Sequence, residues 1–427
     1  MLTQASRRIR PHILRIVAFC VIFLVTLWLL RRAFDQPIAE PLAPVPVEDD
    51  LKDIHNRTLG FEKIFVVNRP ARTDRRDAMT LAAAFTDLNL SWISAVSGDQ
   101  VLDLTIPLDK EPANPPRSGD KGGWRSHLHA IHAVVEQRLT TALIMEDDLD
   151  WDIRLRDQLR TFALSTRALL QPLSILLADR ADPTFPQHDD TREIVNISFS
   201  DLPETARPRT SLYGDHWDVL WLGHCRMEYP SVFDEAYSLG RVVQSNDPTV
   251  PSRNYMHGEW ESAKFTDDYP DHTRVTHHAK LPLCSHAYAI TQRAARVILF
   301  ELSIERYTDP FDVSLAQLCE GQRGPERKLT CITTQPALFK HWKPRGWVNS
   351  ASDIANLRDE WKDVAGSEII RWSVGVNMER LVRGETGDWI DQYPDTGDEE
   401  EEEEDKVQVT EPDSNQAEKG YFITRRN

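Results

Sequence analysis

The chain has 427 residues, 41% hydrophobic and 27% charged, the balance of a globular protein rather than a disordered or fibrous one. Its formal charge of −17 argues against nucleic acid as a partner. Eight of the acids form one unbroken run, Asp398–Asp405, so the rest carries −9, an ordinary value for this size.

The first element in chain order is Ile16–Leu30, 15 residues without a charge, which Ile13, Leu14 and a snorkelling Arg15 lengthen to 18. A cleaved signal peptide is the rival reading. Arg31, Arg32, Ala33 and Phe34 follow where a small-residue cleavage site would lie, so residues 13–30 read as an uncleaved transmembrane signal anchor. Arg7, Arg8, Arg10 and Arg15 precede the span and Glu48, Asp49 and Asp50 lie beyond it, which puts residues 1–12 in the cytosol. The expectation is a single-pass type II protein of the Golgi or endoplasmic reticulum membrane. Residues 31–57, with Pro37, Pro41, Pro44 and Pro46, read as a semi-rigid stem, and residues 394–427 as an acidic disordered tail. A lumenal body remains over residues 58–393. Three sequons suit that compartment, Asn56 with Thr58, Asn89 with Ser91 and Asn196 with Ser198. Cys20 falls in the span, and Cys225, Cys284, Cys319 and Cys331 allow three pairings, of which Cys319 with Cys331 is the most local.

Within the body the pattern alternates between strands and helices, which predicts an α/β fold with parallel strands. Lys63–Asn68 is a β-branched strand, a helix follows from about Asp74 to Leu88, and Leu90–Val96 is a second strand. Ser118–Leu139 contains a helix that leads into the strand TALIM, with another helix starting near Ile153. Residues 172–214 are polar and proline-dotted and read as an insertion. Asp218–Leu222, Ser285–Thr291 and Thr330–Leu338 supply further strands.

Chemistry concentrates in Thr141–Asp152, TALIMEDDLDWD, where an apolar run ends in Glu146, Asp147, Asp148, Asp150 and Asp152. Such a run reads as an interior strand whose carboxyl end opens into a ligand crevice. Carboxylates crowded there call for a cation, and Mg²⁺ or Mn²⁺ held by one or two carboxylates and substrate phosphates would supply it. The competing reading is the acidic first turn of the following helix. Arg69, Arg72, Arg75 and Arg76 after the first strand form a cationic loop suited to nucleotide phosphates, although not all four can point inward. Asn68 either reads a base or closes the turn. Gly122 and Gly123 would let backbone approach a ligand, with Ser126 and His127 one turn on. His127, His129 and His132 lack the converging ligands of a zinc site; by general analogy with the fold class, His341 after the last strand is an additional candidate ligand. Trp217, Trp221, Trp260, Trp342 and Trp347 divide between core and sugar-stacking roles.

These motifs, in this order, resemble glycosyltransferase family 25, which includes lipopolysaccharide and collagen galactosyltransferases. Val67 and Asn68 through Arg72, Asp74, Arg75 and Arg76 resemble its INLDRRPDRR turn, with departures at Arg69, Pro70 and Ala71. Gly119–His127 resembles its GExGCxLSH motif, keeping Gly119, Gly122, Ser126 and His127 but carrying Asp120, Gly123 and Arg125. Leu143–Asp148 matches its strand ending in EDD, WDVLWLG its WDxxyLG strand, and Ala287 and Tyr288 its AYxIS segment. The resemblance covers roughly Lys63–Leu338. It implies a GT-A-like doubly wound mixed sheet and metal-dependent transfer of a hexose, galactose by family weight, from a UDP-type donor to a glycan or glycoprotein with inversion. Glu146 and Asp148 would hold the metal, Mn²⁺ for preference, and Asn68, Arg75, Gly122, Ser126, His127 and Asp147 would bind the donor. Asp312 falls where the family carries an acid before a helix and is the candidate catalytic base; a helix N-terminal carboxylate is the equal alternative. The departures leave open a catalytically inactive carbohydrate-binding relative. A glycoside hydrolase would need two carboxylates flanking one bond, which acids crowded at one strand end do not provide.

Overall fold

The computed structural model describes residues 51–108, 115–186, 193–256, 263–348 and 359–395. The expected anchor, most of the stem and almost all of the acidic tail lie outside these residues, and no described helix is long and apolar enough to cross a membrane. Among the described residues, twelve strands pair into one mixed sheet. Its main path uses β1 (Lys63–Asn68), β2 (Leu90–Ser94), β3 (Thr141–Glu146), β5 (Val195–Ser198), β6 (Val219–Gly223), β8 (Gly240–Gln244), β9 (Arg274–His278), β11 (Ala287–Thr291) and β12 (Cys331–Gln335). The spatial order is β2-β1-β3-β11-β6-β12-β9-β8-β5. The strands are parallel except β11 and β9, which run against their neighbours. β4 (Leu149–Trp151) and β13 (Phe339–Lys343) pair antiparallel beside the end of β6, and β7 (Arg226–Glu228) with β10 (Lys280–Leu283) forms a separate ribbon.

Period-two alternation divides the core between the two faces of this sheet. Ile64, Val66, Leu143 and Met145 point to one face, where α1 (Thr73–Phe85) contributes Met79 and α3 (Leu155–Leu170) contributes Leu159 and Phe162. Phe65, Val67, Ala142 and Ile144 point to the other. There α2 (Ser118–Glu136) packs Trp124, Leu128, Ile131 and Val134, spaced three or four apart so that they share one stripe. After α4 (Ala263–Asp268), α5 (Gln292–Phe300) adds Ile298 and α6 (Phe311–Cys319) adds Leu315 to the same layer. Helices on both sides explain why β1 and β3 read as continuous apolar runs.

Several boundaries differ from the sequence reading for physical reasons. Leu51 and Ile54 are buried in the core, so the folded body begins before residue 58. The segment 172–214 contributes β5, which extends the sheet by pairing parallel with β8. β8 and β9 carry no simple apolar run: RVTHH of β9 is buried throughout. What permits this is satisfied charge. Arg274 donates from Nε to Asp247 Oδ2 at 2.7 Å and from Nη1 to the carbonyl of Pro336 at 2.5 Å, and both ionic side chains are about 5% exposed or less. Burial opposes ionisation of Asp247, but the charge of Arg274 and bonds from Thr249 hold its carboxyl below the ordinary range.

Arg274→Ala would leave that carboxylate buried without its cation and should lower unfolding free energy by about 3–5 kcal/mol in denaturant titrations. Because the folded pKa of Asp247 is depressed, its stabilisation is present above the unfolded value of about 3.9 and is lost as pH falls through the folded one. Asp247→Asn should flatten that acid limb.

Candidate active site

The carboxyl ends of β1, β3 and β6 and the amino end of the antiparallel β11 meet on one edge of the sheet. A cleft of about 780 Å³ opens there. β3 ends at Glu146 and the chain turns through Asp147 and Asp148 into β4, so the five acids separate. Glu146, Asp147 and Asp148 line the cleft. Asp150 instead accepts from Ser367 Oγ, Ser373 Oγ and the Gly375 N–H, which ties the carboxy-terminal segment to β4. Asp152 accepts from the Arg154 N–H at 2.8 Å, just ahead of α3. The acidic helix start expected as the competing reading therefore describes Asp152 alone, and the crevice reading describes the first three.

Asn68 and Arg75 stabilise this turn from beneath. Asn68 is 2% exposed; its Nδ2 donates to Asp147 Oδ2 at 2.7 Å and to the Arg72 carbonyl at 3.2 Å. Arg75, in the first turn of α1, meets Asp147 Oδ1 at 2.7 Å and Asp148 Oδ2 at 3.0 Å through one nitrogen. Even so, burial and the charge of Asp148 push the Asp147 carboxyl up against the pull of Arg75. Of the other arginines, Arg72 pairs with Asp74, Arg76 lies over the Trp92 ring, and Arg69 lines the cleft.

The opposite wall comes from α2. A Cβ on Gly122 would lie 3.0 Å from both Gly98 N and Val96 O, so glycine lets the helix meet the loop after β2 without pushing that backbone back. Ser126 fastens the same contact, donating to the Gly122 carbonyl at 2.6 Å and accepting from the Val96 N–H at 3.0 Å. His127 projects towards Glu146, with Nε2 3.5 Å from Oε1. Trp342 and Trp347 line the cleft, whereas Trp217 and Trp221 are core; Trp260 lies outside the described residues.

Folding also brings in His341, the additional ligand expected from the sequence, and His286, which the sequence reading did not single out. β13 pairs with β4 so that His341 opposes Leu149, which brings His341 Nε2 to 3.8 Å from Glu146 Oε2 and 3.7 Å from Asp148 Oδ1. His286 precedes β11 and its ring packs against that of His341, tilted by 38° with centroids 3.7 Å apart. The signal for His286 was weak, a histidine one residue before a strand. Only the antiparallel direction of β11 places it at the same edge as the ends of β1 and β3.

The donor set fits a divalent cation. Ligand atoms of Glu146, His286 and His341 all lie within 4.8 Å of one another. Atoms about an ion with bonds of roughly 2.1 Å are separated on this scale. Asp148 Oδ1 and His286 Nδ1 are buried without a hydrogen-bond partner among the described residues. Burial holds the His286 imidazole well below its ordinary pKa, hence neutral and able to ligate. Burial opposes ionisation of Glu146 too, yet the neighbouring imidazoles of His127, His341 and His286 hold its carboxyl well below the usual range. Mixed carboxylate and imidazole donors suit Mn²⁺ or a similar ion.

Asp312 stands apart. It is in the first turn of α6, where its Oδ2 accepts from the Cys284 N–H at 2.9 Å, and it is not among the residues lining the cleft. Cys284 has φ +63°, an unusual conformation for a side chain, and its carbonyl accepts from Trp221 Nε1 at 2.9 Å. Asp312 thus helps fix the turn that leads into His286. Of the three possible cysteine pairings the structure shows Cys225–Cys284 and Cys319–Cys331. The first joins the segments beside β6 and β11 at the cleft.

No family model matches the chain. Over 140 residues it is 27% identical to human procollagen galactosyltransferase 2, a match covering 30% of this chain and 22% of that protein. Over 112 residues it is 28% identical to procollagen galactosyltransferase 1 of Danio rerio, covering 24% and 18% respectively. The chain therefore spans about a fifth of the length of the curated relatives it matches. At low identity and over part of its length, this mixed α/β protein is similar to galactosyltransferases.

Proposed function

We propose that the chain is a metal-dependent glycosyltransferase of GT-A-like architecture. It would transfer a hexose, galactose first among the candidates, from a UDP-type donor to a glycan or glycoprotein hydroxyl with inversion. The observation that carries this reading is the meeting of Glu146, Asp148, His286 and His341 in one cleft with the arginine-bearing turn after β1. The curated relatives' names support the reaction class.

In this reading Glu146 and Asp148, with His341 and His286, would hold the cation, and a bound cation would supply Lewis-acid stabilisation of the charge on the diphosphate leaving group. Arg75 and Asn68 keep Asp147 and Asp148 in place, leaving Arg69 to face the donor from the rim. Gly122 and Ser126 keep the α2 wall close to the loop at residues 96–98, and His127 orients Glu146. Inversion needs one base on the acceptor side. Glu368 is the one carboxylate lining the cleft beyond the strand-end acids, among the described residues, so we place it ahead of Asp312 for that role. It is paired with Lys343. Asp312 is assigned to positioning Cys284.

The same reading places the body in the secretory lumen on a type II anchor. Its support is the pair of disulfides, which persist in oxidising compartments, and the exposure of Asn56, Asn89 and Asn196.

Purified full-length chain screened against UDP-hexoses should release UDP only with Mn²⁺, and Asp148→Ala should reduce release to background while circular dichroism is unchanged. Full activity in that variant would overturn the metal assignment. Nucleotide-sugar binding without turnover in the wild type would instead favour the inactive carbohydrate-binding relative. Glu368→Gln should lower transfer to acceptor about 100-fold or more while leaving Mn²⁺ affinity unchanged. Expression in a eukaryotic host should give a glycosidase-sensitive mass shift, reduced stepwise by Asn→Gln changes at the sequons; no shift would count against the lumenal placement.

A further inference from the structure

We propose that Tyr288 is a positioning residue: its hydroxyl fixes the tautomer of His127, and through that ring the orientation of the Glu146 carboxylate that faces the cation. The inference deepens the glycosyltransferase reading and rests on it for the metal.

Counting protons along the chain of contacts gives the direction of each bond. The Glu146 carboxylate can only accept, so Ser285 Oγ, 3.0 Å from Oε1, donates to it. That uses the one proton of the serine hydroxyl. His127 Nε2 lies 3.3 Å from Ser285 Oγ and 3.5 Å from Glu146 Oε1, so Nε2 carries a proton and donates towards both. In a neutral imidazole the other nitrogen, Nδ1, then accepts. Its partner is the Tyr288 hydroxyl at 3.0 Å. Tyr288 is fully buried, and His127 is its hydrogen-bond partner among the described residues.

Position follows from the fold. The antiparallel register puts Tyr288 opposite Ile144 on β3, two residues before Glu146. Phe311 stacks on the His127 ring at 4.4 Å with planes 5° apart and fixes its plane, while Tyr288 fixes which nitrogen bears the proton. Ser285 Oγ and His127 Nε2 both converge on Oε1. Oε2 is left to the side of Glu146 that faces His341, 3.8 Å away. Outer partners of this kind commonly alter metal affinity 10–100-fold.

The test uses the full-length chain in detergent with ¹⁵N-labelled histidine, the His127 signal being identified by its loss in His127→Gln. Without metal, wild-type His127 should show the Nε2–H tautomer in long-range ¹H–¹⁵N spectra. Tyr288→Phe, which keeps the ring and removes the hydroxyl, should give mixed tautomers and weaken Mn²⁺ binding, followed by electron paramagnetic resonance, by about 10–100-fold. A merely structural tyrosine would move neither. An Nδ1–H or doubly protonated His127 in the wild type, or unchanged tautomer and affinity in Tyr288→Phe, would overturn the proposal. If the wild type binds no Mn²⁺, the glycosyltransferase reading loses its metal and the tautomer alone decides this inference.

Discussion

Repulsion among carboxylates at the mouth of the sheet is the constraint around which this fold is arranged. Two like charges about 4 Å apart at an effective dielectric near 20 repel by about 4 kcal/mol, comparable to a large part of a domain's net stability. Glu146, Asp147 and Asp148 are consecutive, and the turn between β3 and β4 keeps all three on the cleft instead of alternating them across the sheet. The protein answers with compensation from every adjoining element: Arg75 from α1, Asn68 from β1, His127 from α2, Ser285 from the approach to β11 and His341 from β13. Compensation is incomplete, since burial and Asp148 still push Asp147 up and Asp148 Oδ1 has no hydrogen-bond partner among the described residues. That shortfall of positive charge is what the proposed cation would supply.

Stability and function are linked through the strands that bring these partners in. β11 runs against β3, and that reversal carries Ser285 and His286 to the edge where β1 and β3 end. Its approach is set by Cys284, held by Asp312 at its N–H, by Trp221 at its carbonyl and by the disulfide to Cys225. β13 is set from both ends. Its pairing with β4 fixes the register of His341, and Arg274 holds the Pro336 carbonyl just upstream. Polar groups buried far from the cleft therefore determine the cleft's geometry, and loss of Arg274 would affect both.

Asp150 and Asp152 show how misleading composition alone can be. In sequence they belong to the same acidic run, yet alternation along β4 and the turn into α3 direct them away from the cleft. There they bind Ser367, Ser373 and the backbone of the carboxy-terminal segment. That segment supplies Glu368 to the cleft rim. Two acids of the run thus build the wall facing the other three.

The sequence by itself determined β1, β2, β3, β6 and β11, the helices between the first of them, and the convergence of Asp147, Asp148 and Glu146 on a crevice. These features are local: an apolar run of the right length, a helical period, a strand that ends in acids. It also marked Gly122, Ser126 and His127, whose spacing on one helix puts them on a common wall. What the tertiary structure decided was everything carried by long-range pairing. β8 and β9 were hidden because Arg241, Arg274, His277 and His278 are among their buried side chains, and burial of such groups depends on partners remote in sequence, such as Asp247 for Arg274. His286, Ser285 and Tyr288 became site residues through strand direction, His341 through the register of β13, and Asp312 left the cleft because Cys284 needed its carboxylate. Periodicity records which face of an element is apolar, but it does not encode which end of a neighbouring strand will lie beside it.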